Sequence, residues 1–246
     1  MLGAITGRTC VRDRRLVLLA GWGFGCAPLQ PLADALGSEV RVDIEALPAL
    51  DHASTNRWLD ALDERLPRDA WLGGWSLGGM LAGLLAARRG AACPGLLTLA
   101  SNASFTACEG WPTAMPVATL KAFHGSYEQN PATTLKRFAM LCSQGAVDAR
   151  VLSRALMTTA DGADSLAGLD LLATLDTRSA LQRFNAPQLH VFADADALVP
   201  ISASAAVQAV QPDAEVHLMK GASHAFVFEQ ADDVAAVLAR FMRAQA

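Results

Sequence analysis

The chain has 246 residues, 52% of them hydrophobic and 18% charged, with a net charge of −4. That length suits one large α/β domain with an insertion, the apolar share fills a layered core, and the sparse charge excludes long disordered tracts. The negative balance argues against general nucleic-acid binding and leaves only local basic patches.

Residues 1 to about 14 are expected to form an outer strand or hairpin. Arg12, Arg14 and Arg15 ahead of Leu16 imitate a secretory leader, but the apolar run is too short and soon turns Gly- and Trp-rich. Residues 16–20 form a continuous apolar run, as in a strand buried on both faces of a parallel sheet. It ends in Gly21-Trp22-Gly23-Phe24-Gly25, a loop whose main chain must approach something closely. A helix is predicted over 28–36, a strand over 40–44, and a helix over 55–66 capped by Ser54, with Arg57 and Glu64 on its wet side. A buried strand over 70–75 and a strong helix former over 80–87 flank Ser76, and that helix extends to about Arg89. The uncharged run around Ser76 falls short of the roughly 20 residues a membrane span needs, so no membrane helix is expected. Pro94-Gly95 breaks the chain before a short strand over 96–100.

After Ser101 the strand signal stops. Helical stretches over 117–124, 132–142, 147–158, 165–174 and 177–184 are separated by Gly125, Gly145 and Asp161-Gly162. We read 110–185 as a helical lid inserted into a core made of 1–109 and 186–246. Strand and helix then alternate again: strands over 188–193 and 215–219, a helix over 201–210, and an amphipathic helix over 230–244. The alternation predicts a mostly parallel, doubly wound sheet with right-handed crossovers.

Gly74-Trp75-Ser76-Leu77-Gly78 fits G-x-S-x-G between a strand and a helix, the turn that exposes a nucleophilic serine. Side chains at 74 and 78 would collide in so tight a turn. The plainer reading, a Gly-rich turn with an incidental serine, explains the flanks less well. A serine hydroxyl needs a base to take its proton, and the base needs an orienting carboxylate. Of the histidines after Ser76, His124 lies in a lid helix, His190 and His217 lie inside strands, and His224 stands in a loop after the last strand. Open α/β sheets place their sites at that edge, so His224 is the expected base. Asp194 and Asp196 both qualify as the acid. Asp196, followed by Ala-Leu-Val-Pro200, is favoured, with Asp194 as a turn residue. The amides of Leu77 and Trp22 are the expected oxyanion donors. Trp22, Trp75, Phe105, Trp111 and Phe138 are expected to converge on an apolar pocket.

The chain shows no P-loop, no dinucleotide glycine motif after a strand and no H-E-x-x-H, so no cofactor or metal is expected. Its cysteines, Cys10, Cys26, Cys93, Cys108 and Cys142, have no metal-ligand spacing and read as reduced thiols in a cytoplasmic protein. Arg150 and Arg154 share one helix face, with Arg137 on the preceding helix. They form either a solvated face or a patch that steers an acidic partner.

Leu18-Leu-Ala-Gly-Trp-Gly23, Trp71-Leu-Gly-Gly-Trp-Ser-Leu-Gly-Gly79, Leu99-Ala-Ser-Asn-Ala-Ser-Phe105, Glu109-Gly-Trp-Pro112, Arg137-Phe138, Asp196-Ala-Leu-Val-Pro200 and Gly221-Ala-Ser-His-Ala225 together carry a resemblance. The chain resembles an α/β-hydrolase and, more narrowly, the pimeloyl-acyl-carrier-protein methyl ester esterases of biotin synthesis. The resemblance implies hydrolysis of that methyl ester, with release of methanol and an acyl carrier protein as partner. By the same resemblance Ser76, Asp196 and His224 form the triad, Trp22 and Leu77 border the ester, and Phe138, Ala139, Met140, Leu141 and Cys142 line the acyl site. Arg137, Arg150 and Arg154 would then dock the carrier. Ala20-Gly21 departs from the His-Gly usual in such relatives. A monomer is expected, with no nucleic-acid or membrane partner. A broad short-chain carboxylesterase and a non-catalytic binding protein on a hydrolase scaffold are the alternatives.

Overall fold

The computed structural model describes residues 14–37, 39–160 and 166–245. In chain order they form β1 (Arg15–Leu19), α1 (Gln30–Leu36), β2 (Arg41–Glu45), α2 (Thr55–Arg65), β3 (Trp71–Trp75), α3 (Leu77–Arg89) and β4 (Leu96–Leu99). Then come α4 (Val117–Gln129), α5 (Pro131–Ser143), α6 (Ala149–Thr159), α7 (Leu166–Thr174) and α8 (Arg178–Arg183). The chain closes with β5 (Gln188–Ala193), α9 (Ser202–Val210), β6 (Glu215–Met219), α10 (Phe226–Glu229) and α11 (Ala231–Ala244). Except for Arg14, the outer strand expected over 1–14 lies outside the described residues.

The six strands form one sheet in the order β2-β1-β3-β4-β5-β6, with every neighbouring pair parallel. Burial explains the order. The central strands β3, β4 and β5 are buried at every position and are largely apolar, while the edge strands β2 and β6 are mostly half-exposed. Parallel strands all end at one rim, so the loops after Leu19, Trp75, Leu99, Ala193 and Met219 gather there. Among the described residues, no helix is long and apolar enough to cross a membrane.

Three local expectations are corrected. Gly125 does not end a helix: α4 runs through it to Gln129. A single glycine costs a helix only about 1 kcal/mol. The real break is Asn130-Pro131, where proline takes the first helical position and the Asn130 side chain accepts from Thr133 N at 3.0 Å. Ser54 sits at the N-cap of α2, but its carbonyl, not its hydroxyl, takes the first bond, from Trp58 N at 3.0 Å. Helix α6 starts at Ala149 because the Asp148 side chain caps it through Val151 N at 3.1 Å.

Buried polar pairs lock the layers. Arg89, at the end of α3, pairs with Asp63 of α2 at 2.6 Å and donates to the carbonyls of Pro67 and Leu66. In the sheet, His190 of β5 lies opposite Thr98 of β4, with Nδ1 2.7 Å from the threonine hydroxyl. Burial lowers its pKa to about 4, below the usual 6.5. The unfolded chain therefore binds this proton first. Stability is full above pH 6.5 and is lost as pH falls towards 4, by about 3 kcal/mol from this group. Urea unfolding at pH 7 and pH 4 should show that loss, and His190→Gln should remove most of it.

Candidate active site

The strand β3 ends in a turn that only particular neighbours permit. Ser76 has φ +55°, a region costly for a residue with a side chain. Its N–H donates to Leu99 O at 2.9 Å, and its carbonyl accepts from Gly79 N at 3.0 Å and from the Ser101 hydroxyl. A Cβ on Gly74 would land in the main chain of Gly78, and one on Gly78 would strike the carbonyls of Leu19 and Ala20. The first turn of α3 therefore sits hard against the end of β1. That contact places the Trp22 loop beside Ser76 and Leu77.

Across the rim, Asp196 and His224 form a buried pair. Asp196 Oδ1 accepts from the amides of Leu198 and Val199, at 2.7 and 2.9 Å. Its Oδ2 lies 2.7 Å from His224 Nδ1, and both side chains are 1% exposed or less. Trp75, the residue before Ser76, donates from Nε1 to the His224 carbonyl at 2.9 Å and packs its ring against the imidazole. With Nδ1 engaged, Nε2 is the remaining ring nitrogen, buried and without a hydrogen-bond partner in this structure. Asp194 does different work: its Oδ1 accepts from Gly221 N at 2.7 Å and so shapes the loop that carries His224.

Ser76 lines a narrow apolar cavity of about 50 Å³, walled by Trp22, Phe105, Phe138, Leu141 and Leu198 among others. Among the described residues, no charged side chain lines it. Phe138 of α5 stacks on Phe24 at 5.4 Å and meets Trp22 edge-on at 5.2 Å. The C-terminal end of α5 reaches the loops that carry Asp196 and His224. Cys142 O accepts from Ala225 N at 3.1 Å, and Gly145 abuts Ala195. Burial, with the charge of Asp196 adding to it, pushes the Cys142 thiol well above its ordinary pKa, so it stays protonated and unreactive. Among the described residues, no group of three or more His, Cys, Asp or Glu could hold a metal ion.

A second concavity lies between α5 and α6. Arg137, Arg150 and Arg154 line it together with Met140, Leu141 and Gln144. Among the described residues, none of the three arginines makes an ion pair, and Met140 is 64% exposed.

The sequence model of the alpha/beta hydrolase family matches residues 16–237. The chain belongs to this family. Similar proteins include a biotin biosynthesis bifunctional protein of Cellvibrio japonicus, 37% identical over 87% of this chain and 45% of that protein's length. A pimeloyl-[acyl-carrier protein] methyl ester esterase of Aromatoleum aromaticum is 32% identical over 93% of this chain and 98% of its own. This hydrolase thus spans under half of the bifunctional relative and nearly all of the esterase. Two solved structures share its fold. A bromoperoxidase of Bacillus anthracis has a TM-score of 0.81 at 20% identity, covering 93% of this chain and 91% of that one. An esterase of Exiguobacterium antarcticum has a TM-score of 0.81 at 16% identity, covering 94% and 92%. Family and esterase-named relatives together make the chain a carboxylic ester hydrolase.

Set on this hydrolase fold, the expected site residues divide. Ser76, Trp22, Phe105 and Phe138 meet at the cavity, and Asp196 meets His224. Leu77 starts α3, fully buried behind Ser76. Trp75 and Trp111 do not line the cavity. Trp75 fills the space between Phe24 and His224, and Trp111 donates to Asn102 beneath the guanidinium of Arg178. The run 138–142 is split by helical geometry, since five successive residues cannot share one face. Phe138 and Leu141 face the cavity, Ala139 and Cys142 are fully buried without lining it, and Met140 faces the outer groove. Ser101, which holds the Ser76 carbonyl, escaped the sequence reading. Its only signal is its position directly after a short strand.

Proposed function

We propose that this hydrolase cleaves the methyl ester of a pimeloyl group borne on acyl carrier protein. The relatives' names supply the substrate. The supporting observation in this chain is a cavity at Ser76 that, among the described residues, has no charged lining, beside a groove carrying three arginines that make no ion pair with any described residue. A neutral methyl ester suits that cavity. The carboxylate product does not, because burying an unpaired charge is costly, so product release is favoured. The acidic carrier suits the groove.

In this scheme His224 Nε2 takes the Ser76 proton while Asp196 holds the imidazole through Nδ1 and stabilises its charged form. Ser76 Oγ attacks the ester carbonyl. The amides of Leu77 and Trp22 receive the developing oxyanion, at a cost of about 3–4 kcal/mol if one is lost. Methanol leaves with the proton from His224. Water, deprotonated by His224, then cleaves the acyl-enzyme to the free acid and returns Ser76. Helices α4 to α8, within 110–185, act as a lid on the core of 1–109 and 186–246.

The test is methanol release from pimeloyl-acyl-carrier-protein methyl ester by the purified protein. The double variant Arg150→Glu/Arg154→Glu should lose about tenfold or more in kcat/KM on that substrate. The loss should be confined to the carrier-bound ester and should shrink as salt is raised. Equal rates on carrier-bound and free short esters, unaffected by the charge reversal, would instead make the protein a broad short-chain carboxylesterase.

A further inference from the structure

Helix α5 has two working sides. Arg137, Met140 and Gln144 face the outer groove, while Phe138 faces the cavity that holds Ser76. Leu141 lines both, the one residue common to the two linings among the described residues. It is 36% exposed, whereas Ala139 and Cys142 beside it are fully buried. Its side chain is therefore the partition between the surface groove and the catalytic cavity.

The partition has to open by side-chain motion, because the helix that carries it is pinned. The Asn130 cap fixes its start, Phe138 is clamped against Phe24, Trp22 and Phe123, and Cys142 O holds Ala225 N at 3.1 Å. A partly exposed leucine changes rotamer in picoseconds to nanoseconds, far faster than a packed helix can shift.

We propose that Leu141 is the gate of this enzyme: the chain linking the ester to its carrier lies across Leu141, from the arginine groove to Ser76. The inference rests on the carrier-borne ester reading above. It adds which wall the chain crosses and which residue sets the bulk allowed there. A short ester passes the gate and leaves no tail lying in it while it reacts. A tailed ester keeps the gate occupied while it reacts.

Three methyl esters separate these cases: methyl butyrate, the pantetheine thioester of pimelate monomethyl ester, and the same acyl group on acyl carrier protein. Each is followed by methanol release. Leu141→Trp should lower the ratio of kcat/KM for the pantetheine ester to that for methyl butyrate by about tenfold or more. Leu141→Ala adds no bulk and guards against a misfolded tryptophan variant. It should raise the kcat/KM of a pantetheine ester branched by two methyls at mid-chain, relative to the unbranched one, by about tenfold. Parallel losses on tailed and short esters, or an unchanged ratio in both variants, would overturn the gate. If the carrier adds nothing to the rate on the pantetheine ester, the docking reading fails, and the pantetheine-to-butyrate ratio still decides the gate.

Discussion

Ser76→Ala should lower kcat by about 100,000-fold or more while leaving the melting temperature nearly unchanged. The bonds that hold the turn run to the main chain of residue 76, from Leu99 O, Gly79 N and the Ser101 hydroxyl, and alanine keeps all of them. Alanine also keeps the Cβ at φ +55°, so the substitution neither relieves nor adds backbone strain. Only the hydroxyl is lost. Methanol release and a thermal melt on the same preparation check both halves. Activity within tenfold of the wild type would show that Ser76 is not the nucleophile.

For Asp196→Asn the expected loss is about 10,000-fold in kcat. The asparagine carbonyl can still accept from Leu198 N and Val199 N, as Oδ1 does now at 2.7 and 2.9 Å. Its amide then faces His224 Nδ1 with a donor where Oδ2 was an acceptor. The imidazole must shift to the tautomer with its proton on Nε2, which can no longer take a proton from serine. Steady-state kinetics on a free ester measure this without a carrier. A loss under tenfold would mean that some other group orients His224.

The turn at Ser76 was legible because its constraint is local: a turn that tight needs glycine at 74 and 78, and both are written in the chain. The choice between Asp194 and Asp196 was less sharp, since both sit in one loop. What separates them is the path of that loop. Leu198 and Val199 turn one carboxylate oxygen towards their amides and the other towards the imidazole, while Asp194 is spent on Gly221. Long-range register was not legible at all. Thr98 meets His190 only because β4 pairs with β5 after the helices between them. Nor could composition show that Trp75 and Trp111 would pack away from the cavity. An aromatic residue announces burial, not the side on which it is buried.

The bond from Ala225 N to Cys142 O carries a consequence for how this enzyme can change. One strut joins the face that would greet a carrier to the residue next to the imidazole. Redesigning α5 by lengthening, tilting or replacing it would retune proton transfer along with partner choice. Only swaps confined to outward side chains such as Met140 leave the strut in place, so drift in selectivity should run through single surface positions rather than through a new helix.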